Sequence, residues 1–233
     1  MTKKIKNICI IPARGGSKRI PGKNIKKFLG KPLIFYSINV AKKSKLFDKI
    51  FVSTDSKKIK KISEKYGAKV PFLREKKYSQ DGVGTEFVTK NFLKSINYKL
   101  YDYCVCLYPT SPFLKTVDLH LSLKKLKKKN FDKLTSVGRY NFSPMRAFKE
   151  KNDKISYINN KYKNIRTQKL PNIFHDAGNF YIYKIKNFIK SKTAIKKHTF
   201  FELDPFRVLD INTPEDFKMA EIMYKVLKKQ KLI

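Results

Sequence analysis

One junction near the start of the chain constrains it more than any other feature. An apolar run gives way to glycine and cations across Ile8-Cys9-Ile10-Ile11-Pro12-Ala13-Arg14-Gly15-Gly16-Ser17-Lys18-Arg19-Ile20-Pro21-Gly22-Lys23-Asn24. Four consecutive apolar residues, Ile8 to Ile11, predict a strand buried on both faces, and Pro12 ends it. Gly15 and Gly16 permit positive φ and bare backbone, so successive N–H groups are expected to point into one anion-binding concavity. Arg14, Lys18, Arg19 and Lys23 surround it with positive charge. A nest of this kind suits a polyphosphate. It is neither of two common phosphate motifs: a Walker loop would need glycine at position 17 and Ser or Thr at 24, where the chain has Ser17 and Asn24, and no Gly-x-Gly-x-x-Gly spacing occurs. An ordinary Gly-Gly turn in a very basic chain is the alternative that these residues leave open.

Downstream, strand and helix signals alternate. A helix runs from Pro32 to about Lys43, then come a strand at Ile50–Thr54, a Lys-rich helix at about Lys57–Tyr66 stopped by Gly67, and a short strand at Lys69–Phe72. A helix at about Thr85–Ile96 leads to the apolar run Tyr103–Tyr108, a helix beginning near Thr116 or Asp118, and a strand at Leu134–Val137 closed by Gly138. This pattern predicts an α/β fold, a mainly parallel twisted sheet flanked by helices, which binds ligands at the carboxyl ends of its strands. Asp55 stands at such an end, and is equally placed to cap the next helix. The turn Pro109-Thr110-Ser111-Pro112-Phe113 stands at another, presenting two hydroxyls beside Tyr108. From Arg139 to about Asn172 the alternation lapses, with too few apolar residues for a core of its own. Near the end, Thr213 as N-cap, Pro214 at the first helical position and Asp216 at the third predict a helix to about Lys228. Capping does not account for Asp210, an acid at an expected strand end.

At 233 residues the chain suits a single domain, residues 1–233, with 139–172 as an insertion. Its net charge of +36, from 54 basic against 18 acidic residues, raises nucleic acid as a partner. Only seven of the 54 are Arg, the residue suited to bidentate phosphate and base contacts, and the lysines are scattered over expected solvated helix faces. Specific nucleic-acid binding is therefore not expected, although nonspecific adhesion is. No apolar stretch approaches the ~20 residues of a membrane span, and the first residues lack a leader's apolar region, so the cytoplasm is the expected compartment. Cys9, Cys104 and Cys106 all fall in expected core strands and read as reduced thiols.

The segment Ala13–Asn24 resembles the nucleotide loop of the cytidylyltransferases that make CMP-activated nonulosonic (sialic-type) acids. Further similarity covers nearly the whole chain. That resemblance implies a Rossmann-like nucleotide-diphospho-sugar transferase architecture, CTP as co-substrate, Mg²⁺ as cofactor, and a small β-containing insertion that makes a homodimer. It implies phosphate binding by Arg14, Lys18 and Lys23 with backbone donors from Gly15, Gly16 and Ser17, nucleotide contact by Ala13, and a cytidine site at Asn24, Arg74, Asp81 and Thr85. Tyr108, Thr110, Ser111, Arg166, Gln168 and His175 would surround the sugar acid, with Arg166 a candidate for its carboxylate. The metal would sit at Asp210. The family has Asp-x-Asp there, and this chain has Asn212 at the second acid, which removes a charge. Sialic-acid members carry Gln before Pro-Thr-Ser-Pro where this chain carries Tyr108, which favours a differently substituted acid. Asn164–Gln168 and His175–Tyr181 resemble the pseudaminate branch. Legionaminate or another sialic-type acid is the alternative substrate, a guanylyl- or uridylyltransferase an alternative enzyme, and a basic nucleic-acid-binding module the alternative outside enzymes.

Overall fold

A computed structural model describes residues 5–191 and 195–233. Met1–Lys4, on which the expectation of a missing leader partly rests, lie outside the described residues. The first strand, β1 (Asn7–Pro12), is followed by a small hairpin of β2 (Lys27–Phe28) and β3 (Lys31–Pro32), turned at Leu29 and Gly30 with φ of 46° and 84°. Then come α1 (Leu33–Ser44), β4 (Lys49–Ser53), α2 (Lys57–Lys65), α3 (Thr85–Lys94), β5 (Tyr103–Leu107), α4 (Thr116–Lys128) and β6 (Lys133–Arg139). The insertion holds a second hairpin, β7 (Phe148–Lys151) with β8 (Lys154–Tyr157). The chain closes with β9 (Phe174–Lys184), α5 (Ile185–Lys190), β10 (His198–Glu202) and α6 (Pro214–Lys229).

The main sheet has the order β10-β6-β9-β5-β1-β4. All its pairings are parallel except those of β9, which runs antiparallel to both β5 and β6. The carboxyl ends of β1, β4, β5 and β6 and the start of β9 therefore share one edge. Cys9, Ile11, Val105, Leu107 and Val52 face α1, α2 and α4, while Ile8, Ile10, Cys104 and Cys106 face α3 and α5. That two-sided burial is why these strands read as unbroken apolar runs. A third cluster, Ile20, Phe28, Leu33, Phe113, Ile211, Phe217, Ala220 and Leu227, packs α6 and the segment before it against the loop after β1. Ile20, Phe28 and Ile211 are almost wholly buried. At about 1.5–3 kcal/mol per large apolar side chain, they fasten the far end of the sequence to its start.

Several expectations need correction. Lys69–Phe72 is no strand: Lys69 makes one parallel bridge to Phe51, and Pro71 has no N–H to extend a ladder. Pro32 precedes α1 as its N-cap instead of opening it, and Gly138 lies inside β6, which runs on to Arg139. Asp210 is not at a strand end. It lies in extended chain after a 3₁₀ turn, Pro205–Arg207, and is held there by packing rather than by a ladder. The predicted helix start holds in full, with Thr213 Oγ1 accepting from Asp216 N at 3.2 Å and Asp216 Oδ2 from Thr213 N at 2.8 Å. No helix among the described residues is long and apolar enough to cross a membrane.

Candidate active site

The loop after β1 is shaped differently from a left-handed nest. Neither Gly15 nor Gly16 adopts positive φ; Gly22 does, at 63°. Gly15 suits a close approach, because a Cβ there would stand 3.1 Å from Ser56 Cβ and force that side chain to shift. Its N–H donates to Asp55 Oδ1 at 2.8 Å, so the end of β4 fixes the loop. Asp55 thus does not cap α2. Ser56 does, accepting from Ile59 N at 3.3 Å. Around Gly16 there is open space, with nothing within 4 Å of a built Cβ.

The cations divide into two groups. Arg14 and Lys18 converge on one carboxylate, Arg14 Nη1 lying 2.6 Å from Asp81 Oδ1 and Lys18 Nζ 2.7 Å from Oδ2. Those two partners, Lys18 first, hold the Asp81 carboxyl below the usual range, so it is an anion at neutral pH. Lys23 and Arg19 instead reach the segment before α6. Lys23 Nζ donates to Ile211 O at 2.7 Å, and Arg19 Nη2 donates to Asn212 Oδ1 at 2.8 Å. Burial pushes the half-buried Lys23 ammonium below the ordinary lysine value. Asp210 pulls the other way, and Arg19 and Arg14 add to the lowering. Asn212 Nδ2 in turn donates to Asp210 Oδ2, and Asn212 N is held by Asp216 Oδ2 at 2.9 Å. The loop and Asp210 are therefore neighbours, although 187 positions separate Lys23 from Asp210.

A cleft of about 390 Å³ opens beside the loop, walled by Arg14, Arg19, Arg74, Gly82, Thr85 and Tyr108 among others. It adjoins a second space of about 200 Å³ that adds Ser17, Lys23, Asn24 and Thr110, both being bounded by Pro12, Arg14, Thr85 and Tyr108. Asn24 is buried and donates from Nδ2 to Arg14 O at 3.0 Å, which shapes the loop from inside. Arg74 is buried, donates from Nε to Ser79 Oγ at 2.9 Å, and is pushed down by that burial, with Asp55 opposing. Tyr108 donates to Thr85 Oγ1 at 2.9 Å, and its ring lies 5.6 Å from that of Tyr181, whose hydroxyl donates to Asp176 Oδ2 at 2.6 Å. A larger cavity of about 520 Å³ lies at the opposite sheet edge, between Tyr98, Tyr103 and Ile189, away from all these residues.

Not every expected residue comes to the cleft. The Ser111 hydroxyl is buried and donates to Asn179 O at 3.2 Å, so it braces the turn instead of facing a ligand. His175 lies within β9; its Nδ1 lies 3.0 Å from Asp176 O and its ring against Tyr140 at 5.0 Å. Gly138 makes room for it, since a Cβ there would meet His175 Nε2 at 2.7 Å. Arg166 and Gln168 are exposed on the insertion and line neither space. The same insertion exposes Phe142 (90%), Ile155 (67%) and Ile158 (64%). Arg19 belongs to the expected cation ring and Asp55 to the expected ligand edge, whereas the Tyr181–Asp176 pair carries no expected site role from the sequence. The usable signal of Asp55 is its place at a strand end.

A family model described as Cytidylyltransferase matches residues 8–233. The chain belongs to the cytidylyltransferase family. It is 40% identical over 227 residues to a pseudaminic acid cytidylyltransferase of Campylobacter jejuni, covering 95% of this chain and 97% of that one. It is 31% identical over 231 residues to a CMP-N,N'-diacetyllegionaminic acid synthase of Legionella pneumophila, covering 92% and 94%. Among solved structures, a CMP:2-keto-3-deoxy-manno-octonic acid synthetase complexed with CTP matches with a TM-score of 0.71, at 16% identity over 94% of this chain and 98% of that one. The expected α/β architecture of this cytidylyltransferase is thus the observed one.

Proposed function

We propose that the protein transfers the cytidylyl group of CTP to the anomeric hydroxyl of a nonulosonic acid, pseudaminic acid foremost, giving the CMP-sugar and pyrophosphate. The observation that carries this reading is the meeting of the cation loop with the Asp210 segment through Lys23, which donates to Ile211 O and also lines the smaller space. The Campylobacter relative supports the choice of sugar. Negative charge grows on the α-phosphoryl oxygens and on the leaving pyrophosphate, so most of the work is positioning and charge stabilisation. Lys23, between the loop and Asp210, takes the α-phosphate, while Arg14 and Lys18 exchange Asp81 for the β- and γ-phosphates. Gly16 supplies a backbone donor; the N–H groups of Ala13, Gly15 and Ser17 are already given to Ser53 O at 2.9 Å, Asp55 Oδ1 at 2.8 Å and Gly15 O at 3.1 Å. Asn24, Arg74 and Thr85 border the space for cytidine, and Tyr108 and Thr110 that for the sugar.

The donor set suits a hard divalent cation in part. Asp210 offers a carboxylate beside the phosphate-facing lysine, as magnesium sites shared with a triphosphate require. Asn212 spends its amide oxygen on Arg19 and turns its nitrogen to Asp210, so it can ligate only with the amide turned over. Among the described residues no cluster of three His, Cys, Asp or Glu side chains forms a metal site, so phosphate oxygens and water would complete the shell. Bound there, Mg²⁺ would neutralise the triphosphate and orient it for in-line attack. The exposed apolar residues of the insertion suit a homodimer in which Arg166 and Gln168 reach the partner's sugar, and the small substrates suit the cytoplasm.

The test is a pyrophosphate-release assay over four nucleoside triphosphates crossed with a panel of nonulosonic acids. CTP with pseudaminic acid should give the highest kcat/KM. A preference for GTP or UTP would overturn the cytidine assignment, and a preference for legionaminic acid would support the second reading, which the Legionella relative favours.

A further inference from the structure

The segment that carries Asp210 is held by the packing of Leu209 and the buried Ile211, not by a ladder. From Leu209 to Ile211 it joins no strand, and the hydrogen bond Ile211 O accepts from Lys23 belongs to the phosphate-facing loop. Its two ends are pinned firmly. Downstream, the Asp216 carboxylate holds Asn212 N and Thr213 N. Upstream, three residues before Asp210, Arg207 lays its guanidinium on the Asp118 carboxylate as a planar fork, Nη1–Oδ2 at 2.5 Å and Nη2–Oδ1 at 3.1 Å. The pair is nearly closed to solvent, with the side chains 12% and 4% exposed. Asp118 sits in the first turn of α4 and also accepts Lys115 N at 2.8 Å, so its carboxylate is fixed before Arg207 meets it. Next along the chain, Val208 packs where a Cβ on Gly138 would come within 2.9 Å of its Cγ1.

A buried ion pair contributes little net stability compared with an apolar pair of the same volume, because both charges must be desolvated. What a fork does supply is geometry: two parallel charge-assisted bonds fix angle as well as distance. We propose that Arg207 and Asp118 are positioning residues that set the register of Asp210 against the loop, and hence the affinity of the protein–CTP complex for its divalent cation. The inference rests on reading Asp210 as the metal's carboxylate. Partners that orient a metal ligand typically contribute 10–100-fold to metal affinity.

Mn²⁺ serves as the probe, with CTP and the full chain but no sugar acid, so that no turnover occurs. Titration calorimetry gives the CTP dissociation constant with Mn²⁺ and with EDTA, and the ratio of the two isolates the metal's contribution. Arg207→Lys keeps the charge and loses the fork; Asp118→Asn keeps one acceptor oxygen. Both are measured, and the ratio is compared with the wild type's for each variant that melts cooperatively. We expect the ratio to fall at least about tenfold while the EDTA constant stays within about twofold of the wild type. Asp210→Ala should abolish the ratio. If Asp210→Ala does so and the fork variants keep the wild-type ratio, the fork is structural only and the inference is wrong. Equal weakening with Mn²⁺ and with EDTA would also overturn it, because the whole loop would then have moved. If Asp210→Ala itself keeps the ratio, the failure lies with the metal reading.

Discussion

Replacing Lys23 by Met separates what this side chain does for the fold from what it does for the reaction. The ammonium donates to Ile211 O at 2.7 Å, and a hydrogen bond from a charged donor is worth about 1.5–3 kcal/mol. Two features cut that figure. The group is half-buried, so solvent screens it, and burial already lowers its pKa, which means the fold disfavours the charge it holds. Methionine keeps the length of the stem and removes the desolvated charge, but leaves the carbonyl of the buried Ile211 unpaired. An unsatisfied buried acceptor costs about 1–3 kcal/mol, offset in part by the relieved desolvation, so the net cost to stability should be about 1–2 kcal/mol, a shift of about 2–8 °C in Tm for a chain of this size. For the reaction, losing one preorganised donor at the α-phosphoryl group removes about 3–4 kcal/mol of transition-state stabilisation, or 10²–10³-fold in kcat. Pyrophosphate release at saturating CTP and Mg²⁺, alongside a thermal melt, measures both. A fall in kcat of less than tenfold would refute the assignment of Lys23 to the α-phosphate. A collapse of the melt together with the rate would refute the separation.

Three further perturbations address other parts of the site. Asn212→Asp restores a second carboxylate beside Asp210 and should lower the half-saturating Mg²⁺ concentration roughly tenfold; an unchanged or higher requirement would show that position 212 does not face the metal. The same substitution tests Lys23 by pH: kcat/KM should hold while Lys23 is protonated and fall as pH rises through its depressed pKa, and an added anion should move that limb upward. Asp81→Asn frees Arg14 and Lys18 and should tighten inhibition by pyrophosphate, whereas weaker inhibition would mean that Asp81 organises the loop instead of competing for it. Phe142→Ser with Ile155→Ser should convert a homodimer to monomers in sedimentation, and a wild-type monomer at assay concentration would remove the dimer from the account.

Local chemistry is legible in the sequence and long-range pairing is not. Thr213, Pro214 and Asp216 announce a helix start because capping is settled within four residues, and the apolar run from Tyr103 announces a central strand because both its faces are buried. Pro71 defeats the strand at Lys69 for an equally local reason, which the apolar pattern masks. Gly15 and Gly16 read as flexible backbone, but the value of Gly15 is clearance for Ser56, a residue 41 positions away. The resemblance gives Asp81 to cytidine, yet the structure gives its carboxylate to Arg14 and Lys18 across a separation no pattern reveals. Ser111 has the look of a ligand hydroxyl in the sequence, but its bond goes to the Asn179 carbonyl. The meeting of Asp210 with the loop follows from resemblance alone in the sequence; physically it comes from the buried Ile20, Phe28 and Ile211.

The most direct test of the central claim is anomalous diffraction from crystals grown with CTP and Mn²⁺. A manganese peak is expected at about 2.0–2.2 Å from an Asp210 carboxylate oxygen and from a phosphate oxygen, with the triphosphate lying along Arg14–Ser17 and Lys23 on the α-phosphate. A triphosphate bound elsewhere, or a metal with no ligand from Asp210, would contradict it.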